Sequence, residues 1–449
     1  MMRTTGETSG EGALRRASVG DAVRLGGALL APWDGVRAAL WGDWRAVRLR
    51  HRYGPGPLRI ALPGRRPVLV LTPDDAHRVL TASAEFAPTD LTGEGGIPRH
   101  LLPHRVPAPP GEDAARRRGL DEEVLDAHQQ VHRAAGPMML RIQQEAARLL
   151  ETVAADGELT WGAYAAAYRR LARRLVLGDA ARDDRMLTDA FGALLAASAP
   201  GARIRGRGAG AAAEEVFRGR LRAHIERAEP ESLAGRLTRE SAEGDGHRLS
   251  QVARWLSGFG AAGVTAYRTL VLLAARPDRL ARVRDELSGL HAAHPPSPVS
   301  VPYLRACALE AARLWPVVPT VWRRSVAETR WGEATLPAGS TLLVVLPLFG
   351  RDGATLPYAD RFEPDVWLDG RAAEDGVVAP FGAGSGRCPG ESLALMTVTL
   401  LLAGLLRGHE PRLSRRPRGL DPGHPLPRIL DHGAVRVALD PLPAPVVGR

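Results

Sequence analysis

Between Trp255 and Tyr267 the chain carries no charged side chain, and the apolar stretch around them runs from Gln251 to Ala275. Such a stretch is predicted to be a long helix buried in a core, ended by Arg276-Pro277-Asp278. Gly258, Gly260 and Gly263 weaken it, each by about 1 kcal/mol relative to Ala. Small residues there also let a helix pass close over a bound group. Helical periodicity dominates elsewhere too: Glu112–Ala147, Leu159–Leu195, Pro277–Leu287, Tyr303–Trp315 and Glu391–Leu406. Alternating Leu58–Leu62 and the run Val68–Leu71 flank a Pro-Gly turn and read as two short strands, and Val317–Pro347 reads as strand and turn. Pro200–Gly210, rich in Gly and Arg, reads as a flexible loop, and Pro364–Pro380 as irregular. No linker divides the chain. The expected fold class is mainly α with small β-sheets (α+β), in one large domain preceded by a mobile tail, Met1 to about Ser18.

The 449 residues include no lysine and no asparagine, so all 60 basic residues are arginine. This excludes a phosphate loop, which needs its Lys, a pyridoxal Schiff base, and the Lys and Asn of a protein kinase. The net charge of +10 comes from arginines scattered among acids, which fits a solvated surface or an acidic protein partner better than nucleic acid. Two cysteines, Cys307 and Cys388, rule out a disulfide framework and fit a reducing cytoplasm. The polar start of the chain does not read as a signal peptide, and Leu25–Trp33 is too short to span a bilayer, so no membrane is expected. His128 and His132 lie four apart, but Gln129 stands where a zinc protease has Glu. Cys307 has no ligand-spaced neighbour and reads as a core residue.

The most informative stretch is Phe381-Gly382-Ala383-Gly384-Ser385-Gly386-Arg387-Cys388-Pro389-Gly390, with a helix starting at once after it. Glycines let backbone turn tightly and approach a flat ligand. The helix N-terminus near Glu391 directs amide dipoles at the sulfur, which favours the metal-binding thiolate. The glycine spacing does not suit a dinucleotide loop.

This stretch resembles the heme-binding signature of the cytochromes P-450. Phe381 stands seven residues before the Cys, Gly384 four before it and Gly390 two after it. The family usually has Arg or His two before the Cys, where Gly386 stands here, with Arg387 displaced by one. Glu310-Ala311-Ala312-Arg313, about 75 residues upstream, resembles the family's structural Glu-x-x-Arg pair. The family completes that pair with a further Arg. Here the corresponding segment, Pro364-Asp365-Val366-Trp367, has none, and Arg361 stands nearby. Arg323 resembles the strand Arg that meets a heme propionate, and Arg118, in the run Arg116-Arg117-Arg118, a second propionate ligand.

The resemblance implies heme b (iron protoporphyrin IX), with Cys388 as metal ligand and Phe381, Gly382, Gly384, Arg387, Gly390, Arg323 and Arg118 as cofactor-binding residues. The domain holding it would span residues 19–449. It implies a monooxygenase that inserts one atom of O2 into a small organic substrate, in bacterial secondary metabolism, with electrons from separate ferredoxin and ferredoxin reductase. The family's acid–alcohol element falls on Ser257–Ala262 and lacks both groups, and the nearest threonine, Thr265, is the candidate alcohol. A peroxide-dependent or non-hydroxylating heme-thiolate enzyme and a non-catalytic heme sensor or carrier are the alternatives.

Overall fold

The computed structural model describes residues 15–16, 44–60, 66–89, 112–198, 207–241, 244–289, 300–374, 379–415, 417 and 419–443. Helices dominate: α1 Trp44–Tyr53, α2 Pro73–Thr81, α3 Glu112–Val124, α4 Ala135–Asp156, α5 Trp161–Leu177, α6 Arg185–Ser198 and α7 Arg207–Glu226. They continue as α8 Leu233–Glu240, α9 Asp245–Ala275, α10 Pro277–Ser288, α11 Pro302–Leu314 and α12 Glu391–Leu406. One sheet has the order β1-β2-β8-β5-β3, from Leu58–Arg59, Val68–Leu69, Thr341–Val345, Thr320–Ser325 and Phe86–Pro88. Its β2–β8 pair is parallel and the others antiparallel. A second sheet sets β10 (Arg436–Pro441) between β4 (Leu159–Thr160) and β9 (His409–Arg415), and β6 (Thr329–Trp331) pairs with β7 (Ala334–Leu336). The α+β class expected from the sequence is the one observed.

Two of the expected helical runs are interrupted. The first breaks after Val124 because Asp126 takes a left-handed backbone (φ +48). Its carboxylate then accepts the Arg133 backbone N–H at 2.7 Å and Nε at 2.6 Å, which fixes a compact turn before α4. The second breaks at Gly178 (φ +99), beyond which α6 restarts at Arg185. The glycine–arginine stretch Pro200–Gly210 is partly helical, since α7 begins at Arg207, and residues 199–206 lie outside the described residues. The region Pro364–Pro380 contains a 3₁₀ turn at Pro364–Trp367 and a short helix at Arg371–Glu374. Of the expected tail, only Arg15 and Arg16 are among the described residues, and Arg16 forms a bridge beside Arg59.

Two large apolar cores result, beside a minor third cluster of Leu356, Tyr358, Ala359, Val366 and Ala372. The larger is helical, with α9 and α12 at its centre, and includes Tyr164, Tyr267 and Leu401. The smaller lies on the five-stranded sheet and includes Leu69, Phe86, Leu343 and Val344. Burying α9 needs this volume around it. By length and apolarity alone α9 matches a membrane-crossing helix, but 72% of its apolar window is buried within the fold. It is therefore a core helix, as its missing charges indicate.

Candidate heme site

The cysteine loop lies where the two cores meet: Phe381 packs on the helical core and Ala383 on the sheet core. Its course depends on glycine at two places. Gly384 has φ +59, and a Cβ there would come within 2.4 Å of the Leu80 carbonyl at the end of α2. Gly382 has φ +73 and sits against the Gly386 carbonyl. The loop closes when the Cys388 N–H donates to the Phe381 carbonyl at 2.8 Å, and α12 begins from Gly390. Because α12 packs against α4, α9 and α11, the loop is held at the end of a fixed rod.

Cys388 offers surface to solvent, yet protein surrounds it closely on all other sides. This describes a recess, and burial is the largest influence on the sulfur, pushing the thiol up. The Gly390 N–H and the cations of Arg254 and Arg118 act the other way, while Glu391 adds to the rise. The net direction is upward. The Gly390 N–H at the start of α12 thus favours the thiolate, as expected from the sequence, while burial acts more strongly the other way. A bound cation would make the thiolate, because coordination deprotonates a thiol outright.

The cations divide into two kinds. Arg387 is turned outward and spends its guanidinium on Glu391 at 2.8 Å, so it is not among the groups facing the recess. Arg118 donates to the Arg387 carbonyl at 2.7 Å and pairs with Glu122, bracing the loop from α3. Arg323, on β5, is 3% exposed. It bonds only to the carbonyls of Trp322 (3.1 Å) and Ala383 (3.5 Å), and its Nε has no partner. Among the described residues no carboxylate pairs with it. Burial pushes its guanidinium down to about 10, which leaves it charged at neutral pH.

Gly386 explains the geometry. A Cβ at Gly386 would lie 2.2 Å from Arg323 Nη2 and 2.7 Å from its Cζ. The strand arginine occupies the volume that a side chain at this loop position would fill. A buried, uncompensated cation beside a glycine cradle and an accessible thiol fits an anionic, metal-bearing group such as heme with its carboxylates.

α9 lies near the loop, since the charge of its Arg254 acts on Cys388. Within this buried helix Ser257, Gly258, Gly260, Ala261 and Val264 are open, whereas Phe259, Ala262, Gly263 and Ala266 are buried. At about 100° per residue, Ser257, Gly258, Ala261 and Val264 share one face with Arg254, whose charge acts on Cys388. Among the described residues no atom, apart from the adjoining residues and the helix's own backbone, stands within 4 Å of a Cβ built at Gly258 or Gly260. Thr265 is buried, and its hydroxyl donates to the Ala261 carbonyl at 3.2 Å. Arg254 is held by Asp121 of α3, whose other oxygen accepts Trp255 Nε1 at 3.3 Å. Sequence reasoning missed this tie, since no periodicity links residues of two distant helices.

Glu310 and Arg313 form a fully buried bidentate pair, with bonds of 2.7 and 2.6 Å. Arg313 also donates to the carbonyls of Gly350, Tyr358, Ala359 and Arg361. Arg361 supplies only that carbonyl. The place of a third charged partner is taken by the Glu363 backbone N–H (2.9 Å) and Trp367 Nε1 (3.0 Å), which both donate to Glu310.

Comparison with known proteins agrees with this geometry. The cytochrome P-450 family model matches residues 258–421, a span running from the open face of α9 through the cysteine loop. Over that span the chain is similar to the cytochrome P-450 superfamily. Among curated relatives, cyclooctat-9-en-7-ol 5-monooxygenase of Streptomyces melanosporofaciens is 34% identical over 165 residues, 35% of this chain and 36% of that protein. Cyclooctatin synthase of the same organism is 33% identical over 139 residues, 30% of each chain. These matches thus span about a third of the relatives' length. The fold likeness is wider. A cyanobacterial structure with retinoic acid bound gives a TM-score of 0.72 at 18% identity, covering 90% of this chain and 95% of that one. A zebra fish cytochrome P-450 with progesterone gives 0.71 at 19%, covering 89% and 99%. Members of this superfamily bind heme and act on small molecules, so the recess is the place to look for both.

Proposed function

We propose that this protein is a cytochrome P-450, a heme-thiolate monooxygenase acting on an apolar small molecule, within a domain spanning 19–449. Heme b would be held by Cys388 Sγ, with Arg323 and Arg118 toward its carboxylates and the glycines of the loop beneath it. When bound, the group supplies O2 activation: substrate, O2, two electrons and two protons give hydroxylated product and water. The protein's part is to hold the thiolate, neutralise carboxylates and exclude bulk water. The observation that carries the reading is the conjunction of an accessible cysteine, a carboxylate-free buried arginine and an open helix face whose one cation, Arg254, is engaged by Asp121. The uncharged face of Ser257, Gly258, Ala261 and Val264 favours a hydrocarbon-rich substrate, and the two Streptomyces relatives named above support a place in bacterial secondary metabolism. Electrons would come from NAD(P)H through a separate ferredoxin and its reductase, in the cytoplasm.

The test is spectroscopic. The reduced, carbon monoxide-bound protein is expected to absorb at the position typical of thiolate-ligated heme, and Cys388→Ser to lose that band. Persistence of the band in the variant would refute the ligand assignment. A second reading, peroxide-driven turnover, is favoured by the lack of any acid among the open residues Ser257, Gly258, Ala261 and Val264 of α9. Product formation with peroxide alone, and none with O2 and reductase, would establish it instead.

A further inference from the structure

Every serine or threonine hydroxyl of α9 but one is spent on its own helix. Ser250 donates to Gly246 (2.8 Å), Thr265 to Ala261 (3.2 Å) and Thr269 to Thr265 (2.8 Å). Such back-bonding to the preceding turn is the ordinary fate of these side chains in a helix. Ser257 does not follow it, and its hydroxyl bonds to none of the described residues. It is partly open, and it lies on the face shared by Gly258, Ala261 and Val264, none of which offers a polar side-chain atom.

Among the described residues the space beside it is open, since Gly258 and Gly260 meet nothing beyond their own helix within 4 Å of a built Cβ. Beside the cysteine loop Arg323, 3% exposed with its Nε unbonded, is a second sign of a site built for a ligand rather than of a packing defect. The two polar groups differ in kind: a cation buried beside the cysteine loop and a neutral hydroxyl on α9.

We propose that Ser257 is the polar anchor for substrate: its Oγ hydrogen-bonds a neutral oxygen, hydroxyl or carbonyl, carried by an otherwise apolar skeleton. The inference rests on the monooxygenase reading of the recess. A hydroxyl is both donor and acceptor, so it recognises an alcohol or a ketone equally well. No described residue of this helix face pairs with a charged substrate group: Arg254, the one cation there, is already engaged by Asp121. In an apolar recess a single polar contact has large leverage on selectivity, because the analogue lacking the oxygen leaves the hydroxyl dry and unpaired. Ser257 is thus a specificity residue, distinct from the groups that hold heme.

The experiment uses the heme-loaded full chain and two probes of one shape, adamantane and 1-adamantanol, titrated by the shift of the heme absorption band. The wild type is expected to bind the alcohol roughly 10-fold tighter, as one hydrogen bond predicts. Ser257→Ala is expected to erase that preference while leaving heme content and hydrocarbon affinity unchanged, and Ser257→Thr to restore it. Equal affinities in the wild type, failure of both probes to bind, or a preference that survives Ser257→Ala would each overturn the proposal. Transfer of the effect to Thr265→Ala would overturn it as well, by moving the anchor one turn along α9. A wild type that retains no heme would instead overturn the reading of the site on which the proposal rests.

Discussion

Arg323 and Gly386 are 63 positions apart in the chain, and neither is intelligible without the other. From the sequence, Gly386 is an omission in the loop and Arg323 a plain strand arginine. In the fold the guanidinium stands where the missing side chain would be, 2.2 Å from its Cβ position. The consequence is a trade between stability and binding. A buried cation with no counter-charge destabilises the protein until a carboxylate arrives. Arg323→Met is therefore expected to stabilise the heme-free protein, by about 1–4 kcal/mol, while weakening heme retention. Thermal unfolding of the stripped protein and heme content after gel filtration read the two effects separately. A heme-free variant that melts lower than the wild type would show that Arg323 has an anion partner already. Gly386→Arg is expected to lower heme retention when Arg323 is present and less so beside Arg323→Met, the non-additivity expected of side chains competing for one volume.

At the scale of elements, the segments with strong local signals were legible. The end of α9 at Ala275 was set by Pro277, and α12 runs from Glu391 to Leu406 as the apolar run after the glycine loop indicated. The break after Val124 was not legible, because it is made by the Asp126 carboxylate reaching Arg133 rather than by a glycine or proline. The third partner of the Glu310–Arg313 pair was missed for a similar reason. A search for a cation finds none in Pro364–Trp367, whereas the carboxylate needs only a donor, and an indole N–H is one. Trp367→Phe keeps most of the ring and removes that donor. It leaves one oxygen of a fully buried carboxylate short of a bond, at a cost of about 1–3 kcal/mol. Chemical denaturation is expected to show this loss, and none in a Glu310→Gln background, where the charge needing the donor is gone. Equal losses in both backgrounds would mean that Trp367 matters only for packing.

At the scale of the whole molecule, the recess has its walls on two cores and its floor on the loop between them, so the far side of that loop faces out of the protein. Arg387 is the residue displayed there, with its side chain 64% exposed, and Arg116 on α3 is exposed as well. The chain as a whole carries +10, all of its cationic side chains being arginine. Sequence composition gave this charge but not its placement, which depends on α3 bracing the loop through the Arg118 bond to the Arg387 carbonyl. An acidic electron donor approaching this side meets arginines of opposite sign that attract it, and such steering acts on the association rate more than on the final complex. The Debye length shrinks from ~10 Å at 0.1 M salt to ~3 Å at 1 M, so the attraction is confined to contact distance as salt rises. The second-order rate of reduction by an acidic ferredoxin is expected to fall several-fold across that range. Arg387→Glu is expected to lower the rate at low salt and flatten its salt dependence, with heme content unchanged because Arg387 points to Glu391 and away from the recess. A rate in the wild type that does not change with salt would place the electron entry on another face of the molecule.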